Sequence, residues 1–225
     1  IVGCEASQAA QVWTDFQIHA SGFVRFVIRD AGLKGQQAGR LVQRILEIAA
    51  AHNLVVIEDN AHGLFAKHKG KHLGTFGSLA TQSFHETKNL TCGEGGALLI
   101  NDESLIERAE ILREKGTDRT KFLRGQVDKY TWVDIGSSWI MSDMLAAVLY
   151  GQLQRNDEIQ SQRMAIWNRY QLELADWATQ HGVRTPHVPA DCEHTGHVFY
   201  LRFNEGQIRD QFIAHLRERE ISAVF

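Results

Sequence analysis

Only two prolines, Pro186 and Pro189, occur in 225 residues, so most of the chain is free to form uninterrupted helix and a single connection late in the sequence is marked. The three cysteines, Cys4, Cys92 and Cys192, are odd in number, far apart and outside any C-x-x-C pair. That argues against a disulfide framework and suits a reducing, cytoplasmic compartment. No window approaches the roughly 18 uninterrupted apolar residues of a membrane span, and the first residues lack the basic start and apolar run of a signal peptide. Charge of one sign is also missing: 24 Lys and Arg against 27 Asp and Glu leave a net charge of -3, too weak a field to imply nucleic acid or an anionic membrane as partner. What is present is an ordinary globular composition, 44% hydrophobic and 23% charged, enough for one sizeable core or a large core with a smaller one appended. There is no internal repeat.

Ile1-Val2-Gly3-Cys4 and Phe23 to Ile28 look strand-like, without a clean period between them. From Leu41 the pattern sharpens. Leu41, Ile45, Ile48 and His52 recur at helical spacing, and Asn53 is a plausible stop before the apolar run Leu54-Val55-Val56-Ile57. That run ends abruptly in Glu58-Asp59, as expected for a strand covered on both faces of an α/β sheet, whose carboxyl end is where ligands bind. Leu79 to Phe84 and Ala97 to Ile100 read as strands flanking a polar, glycine-rich loop from His85 to Gly96. Asn101-Asp102 caps a helix with Leu105, Ala109 and Leu112 on one stripe and Gly116 at its end. Ser142 to about Trp177 reads as nearly continuous helix interrupted only by Gly151. Past the prolines, His197 to Phe203 reads as a strand, and Gln207 to Glu220 as a helix with Ile208, Phe212 and Leu216 on one face. The expected organisation is an N-terminal segment 1–40, a large α/β domain with a long connecting helix over 41–185, and the start of a small α/β domain over 186–225.

Taken alone, Asp59 is better explained by capping the next turn than by facing a ligand, and Lys88 by being a solvated surface charge. Their combination with Ser83-Phe84-His85-Glu86-Thr87-Lys88 and the following Gly93-Glu94-Gly95-Gly96 makes a site. The run SFHETKNLTCGEGGALLIND resembles the cofactor-lysine segment of the DegT/DnrJ/EryC1/StrS family of sugar aminotransferases, S-x-H-x-x-K followed by GEGG. VVIEDNAHG upstream is similar to that family's strand-end motif. RAEILREKGTDRTKFLRGQVDKYTWVDIGSSWIMSD downstream resembles the branch that makes dTDP-4-amino-4,6-dideoxygalactose, a sugar of enterobacterial common antigen. The resemblance runs from about residue 44 to residue 225.

The resemblance implies an aspartate-aminotransferase-type (fold type I) architecture, a mostly parallel sheet flanked by helices, with pyridoxal 5'-phosphate (PLP) as cofactor. It implies amino transfer from glutamate to the 4-keto carbon of a nucleotide-linked 6-deoxy sugar, dTDP-4-dehydro-6-deoxyglucose, by a homodimer. Lys88 would hold the cofactor and then shuttle the proton. Asp59 would keep the pyridine nitrogen charged. Ser83 would meet the phosphate, and the loop glycines would allow close backbone approach. His85 would orient the lysine or the phosphate region. His62 stands where the family more often has Gln at the ring hydroxyl, and Ser138 where much of it has an Asn reaching the neighbouring subunit's cofactor. Arg124, Lys129 and Tyr130 are candidates for the diphosphate and sugar. The family's N-terminal Gly-Thr phosphate turn and stacking aromatic, and its C-terminal continuation, have no counterpart here. A family-like chain that no longer binds PLP productively is the alternative reading. A metal site from Cys192, His194 and His197 is disfavoured because C-x-H-x-x-H lacks the paired spacing of zinc motifs, and no metal is expected.

Overall fold

The structure is a computed structural model; it describes the backbone of residues 2–4, 17–18, 23–27 and 35–225 and the side chains from residue 42 onward. The side chain of Leu41, like that of Cys4, lies outside the described residues. In chain order the first half forms β1 (Val2–Cys4), β2 (Gln17–Ile18), β3 (Phe23–Val27), α1 (Gly35–Ala51), β4 (Val55–Asp59), β5 (Lys67–His68), β6 (Lys71–His72), β7 (Leu79–Ser83) and β8 (Gly96–Ile100). The second half forms α2 (Ile106–Arg113), α3 (Arg119–Leu123), α4 (Asp143–Gln154), α5 (Asn156–Gln180), β9 (Cys192–Glu193), β10 (Leu201–Phe203) and α6 (Gly206–Arg217).

The apolar run that ends in two carboxylates becomes the middle of a five-stranded sheet ordered β2-β3-β4-β7-β8. The three central strands are parallel, and β2 and β8 add antiparallel at the edges. Helix α1 covers β4 through Val42, Ile45 and Ala49 packed on Val56. This face is rotated from the one the spacing predicts: Ile48 is only partly buried and His52 is exposed, because the strand presents Val56 to Val42, Ile45 and Ala49. Glu58, next to the site but pointing away from solvent, is 4% exposed and accepts the backbone N–H groups of Gly74, Phe76 and Gly77 at 2.8, 2.6 and 2.8 Å. A buried carboxylate needs such donors, and here they shape the loop that leads into β7.

Ser142 caps the next helical stretch by accepting the Leu145 N–H at 3.4 Å. The predicted single helix is two, and the break falls at Arg155, not at Gly151, which sits inside α4. Glycine weakens a helix without blocking it. At the real break the Asn156 amide donates to the Leu153 carbonyl at 3.1 Å, taking an acceptor that a continuing helix would have used, and the exposed Arg155 side chain pairs with Glu158 at 2.8 Å. The C-terminal part has a second core of Ala178, Val183, Leu201 and Phe203, with Phe212 and Ile213 of α6 packed against it. Ile208, predicted on that face, is 47% exposed. The predicted strand from His197 is only β10, since the carbonyls of Thr195, His197 and Val198 are taken by side chains of α5 and its neighbours. β10 pairs in parallel with β1.

Candidate active site

The parallel strands β4 and β7 deliver their carboxyl ends to one edge, with Asp59 opposite Thr81. Asp59 Oδ1 accepts the Ala61 N–H at 3.2 Å, an Asx turn that sends the chain on to His62. Asp59 therefore shapes the turn and also acts at a distance. Its carboxylate raises the pKa of Lys88, though burial outweighs it and leaves the Lys88 amine below the usual lysine range.

Lys88 is presented by the hairpin that continues β7 and β8 beyond their ladder. Phe84 N–H meets the Gly95 carbonyl at 2.8 Å, Cys92 N–H the Phe84 carbonyl at 3.0 Å, and Glu86 N–H the Gly93 carbonyl at 2.9 Å. The turn at the tip closes with Lys88 N–H on the His85 carbonyl at 2.9 Å. Gly93 has φ of +88°, a conformation that L side chains rarely adopt, and a Cβ at Gly96 would stand 2.8 Å from the Gln82 carbonyl oxygen. Buried Asn89 and Leu90 follow Lys88 immediately and anchor it.

His85 serves the same loop. Its Nδ1 accepts the Thr87 N–H at 3.3 Å and lies 3.0 Å from the Thr87 hydroxyl, while Nε2 faces Glu94 at 3.5 Å. Its ring holds the two limbs of the hairpin together. Ser83 Oγ lies 3.4 Å from the His85 N–H at the end of β7.

A residue that sequence reasoning did not place here completes the cluster. The ring of His197 lies 4.4 Å from that of His62, centroid to centroid, and its pKa is lowered to about 4 by burial first and then by the charges of His62, Lys88 and Arg163. His197 is thus neutral near pH 7. Its Nδ1 is 2.7 Å from Asn89 Oδ1, and the Asn89 amide nitrogen donates to the Thr195 carbonyl at 2.9 Å, which fixes the oxygen as acceptor. The proton therefore sits on Nδ1 and leaves Nε2 with the lone pair. Arg163 Nη2 donates to the His197 carbonyl at 3.2 Å and Trp167 Nε1 to the Val198 carbonyl at 3.0 Å, so α5 sets this segment against the lysine loop.

Cys192, His194 and His197 do not converge: His194 packs tilted against Trp167 with centroids 4.2 Å apart, His197 meets His62, and Cys192 faces His68. Ser138 is exposed on a segment bridged to Glu114, between exposed Ile135 and Trp139. Arg124 makes a forked ion pair with Glu110 at 2.7 and 3.0 Å, Tyr130 packs edge-on against Phe122 at 5.9 Å, and Lys129 is exposed.

An amine kept below its usual pKa, a carboxylate in charge range of it at the end of a parallel strand, a hydroxyl and a glycine-lined hairpin form a donor set that fits PLP. Fold and site together have the architecture of a fold type I PLP-binding domain.

The chain is 35% identical over 174 residues to GDP-perosamine synthase of Caulobacter vibrioides, covering 76% of this chain and 44% of that protein. It is 32% identical over 180 residues to the spore coat polysaccharide biosynthesis protein SpsC of Bacillus subtilis, covering 77% and 46%. It is similar to the aminotransferase TlmJ from Streptoalloteichus hindustanus with a TM-score of 0.75 at 26% identity, over 90% of this chain and 51% of that one. The family profile matches residues 27–225, starting earlier than the motifs that carried the resemblance, and the chain belongs to the DegT/DnrJ/EryC1/StrS aminotransferase family. It spans about half the length of the curated relatives it matches. Among the described residues, no helix is long and apolar enough to cross a membrane.

Proposed function

We propose that this chain carries the cofactor-binding half of an enzyme that transfers the amino group of glutamate to the 4-keto carbon of a nucleotide-linked 6-deoxy sugar. The observation that carries the proposal is that Lys88 lies within electrostatic range of Asp59 and of His197, whose ring packs on His62, where β4 and β7 deliver their carboxyl ends. Lys88 would hold the cofactor. Burial favours its uncharged amine, which can bond to a carbonyl carbon and, once released, take and return a proton. When bound, PLP supplies the electron sink for a carbanion. Asp59 would keep a positive charge on the pyridine ring, and Ser83 with the hairpin glycines would accommodate the phosphate. His62 would donate to the ring hydroxyl. His197, neutral and fixed by Asn89, offers Nε2 as an uncharged acceptor beside it. His85 acts as a positioning residue through Thr87 and Glu94.

Arg124, Lys129 and Tyr130 stand as sugar-nucleotide contacts on the resemblance alone. Ser138 would reach a partner's cofactor, which suits its place on an exposed apolar segment and a homodimer. The large unit is proposed to end near residue 185 and the small one to begin at 186, with Leu201, Phe203 and Phe212 of the small unit packed on Ala178 and Val183 at the end of the long helix. The nucleotide is dTDP on the resemblance, while the name of one relative contains GDP. The test is single-turnover amino transfer from glutamate to dTDP-4-dehydro-6-deoxyglucose and to its GDP-linked counterpart, by protein with added PLP. Transfer to the dTDP sugar supports the proposal, and transfer only to the GDP sugar changes the nucleotide. No cofactor binding in the intact protein would favour the non-catalytic alternative.

A further inference from the structure

A second group of ligand-type side chains lies where β5 meets β9, outside the residues assigned to PLP. The antiparallel register sets His68 directly opposite Cys192, so both side chains share one face. Asp191 would point to the other face of a regular strand. It lies instead in a turn closed by Cys192 N–H on the Pro189 carbonyl at 3.0 Å, and Lys69 N–H holds the Asp191 carbonyl at 2.7 Å. The ligand atoms of His68, Asp191 and Cys192 all lie within 4.8 Å of one another. The neighbouring Lys67–Glu193 ion pair, at 2.9 Å, ties the same two strands.

The geometry discriminates between a nucleophilic relay and a ligand set. In a relay the carboxylate and the nucleophile meet opposite nitrogens of the imidazole. Here Cys192 Sγ, at 3.6 Å, and Asp191 Oδ2, at 3.8 Å, approach the same Nδ1. Sγ also lies 3.8 Å from the other carboxylate oxygen, Asp191 Oδ1, so the carboxylate spans the sulfur and the nitrogen, and one ligand atom from each residue lies within 4.8 Å of the others. A tetrahedral zinc with bonds of about 2.0–2.3 Å has ligand-to-ligand edges of about 3.3–3.6 Å, so the sulfur–nitrogen edge is already close to that length and a rotation of the Asp191 carboxylate brings one oxygen toward both. One sulfur, one nitrogen and one oxygen donor suit zinc and disfavour calcium or magnesium. His68 is 8% exposed, while the Asp191 side chain is 34% exposed, which leaves an entry path and a fourth position for water.

We propose that His68, Asp191 and Cys192 bind one zinc ion, which fastens the start of the segment carrying His197 to β5. The chain treated with zinc chloride and gel-filtered should retain one zinc per chain by plasma mass spectrometry. X-ray absorption at the zinc edge should show one sulfur among nitrogen and oxygen scatterers. His68→Gln, Asp191→Asn and Cys192→Ser should each lower retained zinc to background, while His72→Ala, on exposed β6, should not. Circular dichroism melts separate loss of zinc from loss of fold, and the absorption spectrum of the unaltered chain decides even if a variant fails to fold. A zinc shell without sulfur, occupancy unchanged by Cys192→Ser, or no retained zinc would overturn the proposal.

Discussion

Asp59→Asn removes one charge while keeping the shape and the oxygen that accepts the Ala61 N–H. Two opposing influences act on Lys88: burial lowers its pKa and Asp59 raises it, burial being the larger. Without the carboxylate, burial acts unopposed and the Lys88 pKa must fall further. A nearby opposite charge favours the charged form of the amine, so at a pH below its pKa the variant should hold more of Lys88 as free amine than the parent does. Competitive acylation of the cofactor-free chain across pH, with the Lys88 peptide quantified against exposed Lys69, measures it directly. An unchanged or raised Lys88 pKa would refute the pairing. With PLP bound, the same variant should keep its cofactor and lose single-turnover amino transfer by orders of magnitude. If Asp59 serves only the turn, both would stay near the parent values, since asparagine makes the same turn.

The remaining predictions concern stability, pH and assembly. Glu58→Gln keeps an acceptor but loses the charge that binds three N–H groups, and should lower unfolding stability by about 1–3 kcal/mol in a denaturant titration. For His197 the folded pKa of about 4 lies below the ordinary 6.5, so the unfolded chain binds the proton first. Stability therefore falls as pH drops from about 6.5 to 4 and levels off below. The full linkage would be about 3 kcal/mol, and solvent screening of a half-buried ring reduces it to on the order of 1–2 kcal/mol. His197→Asn should flatten that slope in urea titrations at several pH values, and an unchanged slope would remove His197 as its cause. Trp132 and Trp139 are 75% and 73% exposed, so, on the proposed homodimer, a double Ser substitution should shift the protein toward monomer in light scattering while leaving its melt in place, and a monomeric parent would contradict the proposed assembly.

The central strand, its carboxylate end and the lysine hairpin were legible because each is written locally: an apolar run stopped by Glu58-Asp59, and glycines spaced around Lys88. His197 was not. It meets Asn89 across 108 residues of sequence, and its own surroundings, His197 to Phe203, read as strand until the α5 side chains are seen to take its carbonyls. Glu58 was hidden for a similar reason, since its partners at 74–77 are backbone N–H groups that leave no trace in residue type. The break at Arg155 escaped notice because glycine is the stronger signal, while the contacts that mark the break, Asn156 to the Leu153 carbonyl and Arg155 to Glu158, use residue types that are also common inside helices. The apolar segment from Trp132 to Trp139, which the sequence suggests for a subunit boundary, lies exposed in the single chain.

Borohydride reduction of the PLP-loaded protein, followed by peptide mapping, tests the role of Lys88 most directly. Among the described residues, Lys88 is the lysine that the hairpin presents within charge range of Asp59 and His197, so the label should sit on Lys88. Lys88→Ala should abolish both the label and the absorbance of bound cofactor, while Lys67→Ala and Lys115→Ala leave them unchanged. A label on any other lysine would contradict the assignment of the whole site.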